Sequence, residues 1–259
     1  DALALELTPN FNEVPGGFLV DPNSGYGSFA VALGIGSSRN VALFARPSAG
    51  VWHHYAFVLD TAAPAAEQIV PYVDGKAVSY TKLDSGTGAG NFANSSLYLM
   101  SRAGASLFGA GTLDDVSVYR RALSATTISN HYNAIVVEEE PEPEPEPEPE
   151  GGGEEGGGAG GSGPAYTDTV RATAGLLDYW RLDEPAGPTL GDIAGSHPAT
   201  ASGEPAFAAA GGVPGDPDKA VAFNGAGDSA AAPLDLSGKT AITVEFWLKW
   251  SSYANDDAL

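Results

Sequence analysis

The 259 residues contain no cysteine and a single methionine, and lysine and arginine together number only twelve. Without cysteine there is no disulfide framework, no thiolate nucleophile and no Cys-bound metal. No apolar run reaches the roughly 18 residues that a membrane-spanning helix needs, so membrane insertion is not expected. Residue 1 is Asp, and no charged-then-apolar signal segment opens the chain. The sequence is therefore expected to be a fragment, with any export signal outside it. The shortage of bases matters most, because 33 acidic residues give a formal charge of −21. Such a chain repels phosphate backbones, and no basic patch with interleaved aromatics offsets the repulsion. Nucleic acid is excluded as a partner on these grounds, whereas divalent cations and neutral ligands are compatible.

What the chain does have is unevenly distributed. Ten of the acids fall between Glu138 and Glu155, in "VVEEEPEPEPEPEPEGGGEEGGGAGGSGP". Alternating Glu-Pro favours an extended, self-repelling rod, and the glycine-rich stretch after it a flexible coil. Neither buries apolar surface, so residues 137–164 read as a linker between segments 1–136 and 165–259.

Before that linker, "GSFAVALGIG", "RNVALFARP", "VWHHYAFVLD", "EQIVPYVDGKAVSYTKL", "SSLYLMSR" and "TLDDVSVYRRAL" alternate apolar with polar or small residues. Short strands at about ten-residue spacing, with no long helical pattern, predict an all-β antiparallel sandwich. Asp74-Gly75 between alternating runs predicts a two-residue hairpin turn, since both positions need positive φ. One short helix is expected after Leu123, capped by Ser124, with Ile128, His131 and Tyr132 on one face. The last 95 residues carry only about three convincing strands, around "YWRLDE", "AVAFNGAGDSAAAP" and "ITVEFWLKW". Three strands are too few to cover a sandwich alone.

Taken together, "YWRLDE", "AVAFNGAGD", "ITVEFWLKW", "WHHYAFVLD", "YVDGK" and "LDDVSVYRRALS" resemble the laminin-G-like, concanavalin A-like lectin/glucanase family of jelly-roll domains. In that family the first three motifs precede the last three. Here they follow, so the order is permuted around the acidic linker. The resemblance makes residues 1–136 the C-terminal part of such a sandwich and residues 165–259 the N-terminal part. The two parts either pack on each other or belong to successive repeats. Asp257-Ala258-Leu259 repeats Asp1-Ala2-Leu3, and joining the ends gives "EFWLKWSSYANDDALALELTPN", a sensible strand–loop–strand passage. This predicts one period of a longer array, in which neighbouring repeats of the same chain are partners.

The family resemblance also implies a structural calcium, held by oxygens from the "FNGxGD" and "DDVxVY" strands. The matching residues are Asn224, Asp228, Asp114 and Asp115, and the glycine-rich "NGAGD" loop could add carbonyl oxygens. Adjacent strand residues point to opposite faces, so only one of Asp114 and Asp115 is expected to bind by its side chain. Enzyme activity is not expected. The family's glucanases carry carboxylates in a Glu-x-Asp-x-x-Glu pattern that is absent here. Glu245 stands alone in sequence, and Asp183-Glu184 are adjacent. His53 and His54 alternate faces and have no spaced partner. Trp52, Trp180 and Trp247 sit inside alternating strands and are expected in the core. Tyr26, Tyr253, Asn255 and Asp256 lie in loops, where ligand contacts concentrate, and are the candidate ligand residues.

The expected function is a non-catalytic recognition module, extracellular or at a cell surface, binding glycan or another surface polymer with calcium support. The alternative is a structural spacer repeat of a large bacterial surface adhesin, with no ligand of its own.

Overall fold

In a computed structural model the described residues are 1–11, 13, 15–35, 38–83, 90–134 and 166–253. The expected linker, 137–164, lies outside them. The first segment forms β1 (Leu5–Leu7), β2 (Phe18–Asp21), β3 (Phe29–Ile35), β4 (Ser38–Phe44), β5 (His53–Asp60), β6 (Ile69–Val73), β7 (Lys76–Ala77), β8 (Thr81–Lys82), β9 (Asn94–Leu99) and β10 (Ala110–Tyr119). A helix, α1 (Ala125–Asn133), follows. The second segment opens with α2 (Tyr166–Ala172) and continues with β11 (Leu176–Trp180), β12 (Thr189–Leu190), β13 (Ala199–Ser202), β14 (Ala206–Ala210), β15 (Lys219–Asn224), β16 (Ser229–Asp235) and β17 (Ala241–Trp250).

Local chemistry accounts for the punctuation. Asp74 and Gly75 turn the β6–β7 hairpin with φ of 49° and 72°, the doubly positive geometry that this dipeptide tolerates. The Ser124 side chain accepts the Thr127 N–H at 3.1 Å, satisfying one of the donors that a helix start leaves open.

The strands make two antiparallel sheets. One runs β12-β13-β16-β9-β1-β2-β3-β4-β8. The other runs β14-β15-β10-β17-β5-β6-β7, and β11 also pairs with β10. Along β10, β15 pairs with Ala110–Leu113 and β11 with Val116–Tyr119, so the two share one flank. Strands from both segments interleave. β16 pairs with β9, with Ala230 opposite Leu99, and β17 lies between β10 and β5. The fold is the all-β sandwich that the alternating pattern predicts.

The second segment holds seven strands where its pattern suggested about three. The surplus is the two-residue β12, "TL", and three short alanine-rich pieces, "ATAS", "AFAAA" and "SAAAPLD". Alanine has little strand preference of its own, so these are strands because their neighbours pair with them.

Alternation sorts the side chains. Leu5, Phe18, Val20, Phe29, Val31, Phe57, Val118, Trp180 and Phe246 fill the space between the sheets. Tyr55 stacks on Phe29 at 5.1 Å and on Phe246 at 5.6 Å, tying the two segments through one ring. Each such pair contributes about 0.5–1.5 kcal/mol beyond its burial. The outer face of the eight-stranded sheet is covered by α1 and α2 through Ile128, Tyr166 and Val170. The outer face of the nine-stranded sheet has no helix over it among the described residues.

Candidate functional site

Two places on the outer faces carry chemistry. The first starts from an irregularity in β10, whose pairing with β17 slips between Asp114 and Ser117. Asp115 adopts a φ of 51°, in the left-handed region, where Asp is one of the tolerated residues. The bulge cancels strict alternation, so Asp114 and Asp115 both aim at the same spot. The expectation that only one of them could do so is corrected by this kink. Asp218, just before β15, completes the group, with one carboxylate oxygen from each residue within 4.8 Å of the others.

All three are buried, Asp114 and Asp115 completely. Asp114 accepts the Gly212 N–H at 2.7 Å, Asp115 accepts the Tyr179 hydroxyl, and Asp218 accepts the Lys219 N–H at 2.7 Å. Arg181 pairs with Asp218 and lies 3.2 Å from Asp183. Asp114 Oδ1 and Asp115 Oδ2 find no hydrogen-bond partner. Burial pushes Asp114 and Asp115 well above the usual carboxylate range, and neighbouring carboxylates add to it, Asp115 acting on Asp114 and Asp218 on both. Burial raises Asp218 to about 6 even with Arg181 beside it. One guanidinium against three buried carboxylates leaves the cluster short of positive charge, and a hard, oxygen-seeking cation meets that need.

Asn224 and Asp228 do not join this cluster. Asn224 pairs opposite Ala110, six residues along from Asp218 and thus roughly 20 Å away. Its Oδ1 accepts the Ala226 N–H at 2.7 Å, while Asp228 accepts the N–H groups of Asn224 and Glu204 at 3.0 and 2.8 Å. Both side chains close the turn between β15 and β16. The four residues named from the resemblance are therefore split, and Asp218 stands where Asn224 and Asp228 were expected.

The same outer face holds a network that sequence spacing does not reveal. Glu245, on β17, accepts from His54 Nε2 at 2.7 Å, from His131 Nδ1 at 2.9 Å and from the Tyr166 hydroxyl at 3.4 Å. His131 Nε2 lies 2.7 Å from Thr173 Oγ1, so α1 is joined to the turn after α2. Burial alone would raise the Glu245 carboxyl, but the charges and hydrogen bonds of His54 and His131 outweigh it and hold it at about 2. With Glu245, His54 and His131 all at or below 1% exposure, no substrate reaches this carboxylate, and its part is architectural. His53 turns the other way and meets Asp74 at 2.8 Å. The only sequence signal for the network was an acid in an otherwise apolar strand.

The second place lies on the open face of the nine-stranded sheet. Leu19, Ala30, Ala32 and Val41 are the outward members of their strands, and with Leu3 and Phe11 they form an apolar floor. Above them is a cavity of about 110 Å³. Its walls include Tyr26, Asp21, Arg39 and Arg102. Arg102 forms an ion pair at 3.0 Å with Glu6, which is buried beside its cross-strand partner Leu19. Tyr26 sits in the β2–β3 loop, just before Gly27 at φ 70°, and is 54% exposed.

Of the loop residues expected to meet a ligand that lie among the described residues, Tyr26 lines this cavity and Tyr253 does not. Tyr253 is buried instead. Arg46 stacks on its ring at 4.8 Å, and its hydroxyl donates to the Pro47 carbonyl at 2.8 Å. Asn255 and Asp256 lie outside the described residues. Trp180 and Trp247 are buried as expected, and Trp52 is half-buried.

Residues 12–129 match the family model described as the concanavalin A-like lectin/glucanases superfamily, which supports a laminin-G-like jelly-roll fold for this stretch. The match runs from ahead of β2 into α1, whereas β11–β17 lie beyond it. No curated protein and no solved structure matches the chain.

Proposed function

We propose that this laminin-G-like sandwich is a non-catalytic, extracellular recognition module that binds a glycan or a similar surface polymer. The binding site is the cavity on the open face of the nine-stranded sheet. One observation carries the reading: an apolar floor and an exposed tyrosine stand beside charged side chains in a single concavity. A sugar ring presents a C–H face that packs on an aromatic ring and an edge of hydroxyls that hydrogen-bond to charged groups. Tyr26 supplies the ring, and Asp21 and Arg39 the polar contacts. The superfamily of the matched stretch contains lectins as well as glucanases, which supports carbohydrate as the ligand class.

Calcium is proposed to support the fold through Asp114, Asp115 and Asp218, where it would satisfy the unpartnered oxygens of Asp114 and Asp115. The test is a glycan array read with calcium and with chelator, on the wild-type chain and on Tyr26→Ala. Reproducible hits that disappear in Tyr26→Ala support the reading. Uniform silence from a folded chain sinks it and leaves the spacer role.

A further inference from the structure

A second polar group lies in β11 and the loop that follows, apart from both places described above. Asp178, Asp192 and His197 each bring one ligand atom within 4.8 Å of the others. Asp178 is fully buried, and its Oδ1 lies 2.7 Å from His197 Nδ1. Its Oδ2 is buried without a hydrogen-bond partner, and the Asp192 carboxylate lies against the same side chain, on the side of Gly195. Two converging carboxylates, one of them fully buried with an oxygen that no donor meets, make an arrangement that a cation resolves.

The three side chains are held in place from behind. Asp192 Oδ1 accepts the N–H groups of Tyr179, Ala194 and Gly195 at 2.9–3.0 Å, and Oδ2 accepts that of His197 at 3.0 Å. The buried Trp180 indole donates to the His197 carbonyl at 2.8 Å, fixing the backbone that carries the imidazole. At Gly195 an added Cβ would come within 2.4 Å of Asp178 Oδ1 and 2.6 Å of Asp192 Oδ2, so only glycine permits the carboxylates to converge there.

We propose that Asp178, Asp192 and His197 form a binding site for a divalent transition metal, with Zn²⁺ the ion of choice. The donor set decides the class. One imidazole nitrogen with two carboxylate oxygens suits borderline ions, whereas Ca²⁺ prefers oxygen alone. Tetrahedral Zn²⁺ with bonds of about 2.1 Å holds its ligand atoms about 3.4 Å apart, a spacing these atoms reach by small side-chain rotations. On binding, the imidazole carries its proton on Nε2, leaving the Nδ1 lone pair for the metal in place of the contact with Asp178. The His197 side chain is 33% exposed, which opens an entry path and leaves a fourth position for water.

The test is titration calorimetry of Zn²⁺ into the full, untagged chain after chelator treatment. It is repeated on His197→Ala, Asp178→Asn and Asp115→Asn, with the melting curve of each recorded. One Zn²⁺ per chain is expected, with affinity at least ~10-fold weaker in His197→Ala and Asp178→Asn, no less than the loss of an outer partner costs. Asp115→Asn, in the other acidic cluster, should bind as wild type does. Bound Co²⁺ should show the intense visible bands of tetrahedral coordination in the wild type and lose them in His197→Ala. No stoichiometric Zn²⁺ in the wild type overturns the proposal, as does binding that a folded His197→Ala retains. Loss in Asp115→Asn alone would move the metal to the other cluster and also overturn it.

Discussion

The two outer faces of the sandwich are built from strands of the same alternating kind, but they bury different things. On the eight-stranded sheet the outward positions include Glu245, His54, Ser117, Thr243 and Asp114, all buried. On the nine-stranded sheet they are mostly apolar, Leu19, Ala30, Ala32 and Val41 beneath an open cavity, with the Glu6–Arg102 pair at the edge. A buried polar face depends on partners in fixed places, and removing one strands the rest. An apolar floor asks only for shape, so its residues and the side chains above it can change at little cost to the fold. One face therefore specifies how the segments assemble, and the other is at liberty to specify a ligand.

The sharpest way to break this comparison is Glu245→Ala. Leaving His54 and His131 buried without their carboxylate should cost about 3–5 kcal/mol, or roughly 10 °C of melting temperature. A variant that melts with the wild type would show that the covered face is no more exacting than the open one.

Acid should act on the same carboxyl. Its folded value, about 2, lies below its ordinary 4.5, so the unfolded chain takes up the proton first. The stabilisation is complete above about pH 4.5 and disappears as pH falls toward 2, amounting to about 3 kcal/mol. Urea midpoints at pH 6, 4 and 3 should fall more steeply for the wild type than for Glu245→Gln. Parallel curves would contradict the assignment.

The three-aspartate cluster should run the other way. Asp218, raised to about 6 from 3.8, is protonated more readily folded than unfolded, so without metal this group favours folding at lower pH. Calcium at about 100 times its dissociation constant should add about 2.7 kcal/mol, more at pH 8 than at pH 5. A melting temperature unmoved by calcium at pH 8, or lost stabilisation confined to Asp228→Asn, would count against the cluster as the site. The smallest effect on the fold is expected at Tyr26→Ala. Stability should stay within about 0.5 kcal/mol because the side chain is exposed, while affinity for any array hit falls at least ~10-fold.

The sandwich was legible where side-chain chemistry acts locally. Asp74-Gly75 marked its hairpin, Ser124 its helix, and "HHYAFVLD" and "ITVEFWLKW" their strands. Strands made mostly of alanine were not legible, because pairing rather than preference makes them. Nor was the bulge at Asp115, which places two neighbouring carboxylates together against the alternation rule. Asp218 and the Glu245 network were hidden for a simpler reason. Glu245 meets His54 across 191 positions and His131 across 114, and no spacing motif records a meeting of that kind. Tyr26 was visible as a loop aromatic, but only the cavity beside it distinguishes it from Tyr253.

The contact between His131 and Thr173 has a consequence for inheritance. Because α1 lies beside α2, the described residues on either side of the expected linker, up to Ala134 and from Tyr166, meet at one corner of the sandwich. Doubling the length between those points costs only about 0.6 kcal/mol of closure entropy. Insertion or loss of residues in the Glu-Pro tract should therefore pass almost unseen by selection on folding, so related proteins should differ in the length of this tract while the residues on either side of it hold still.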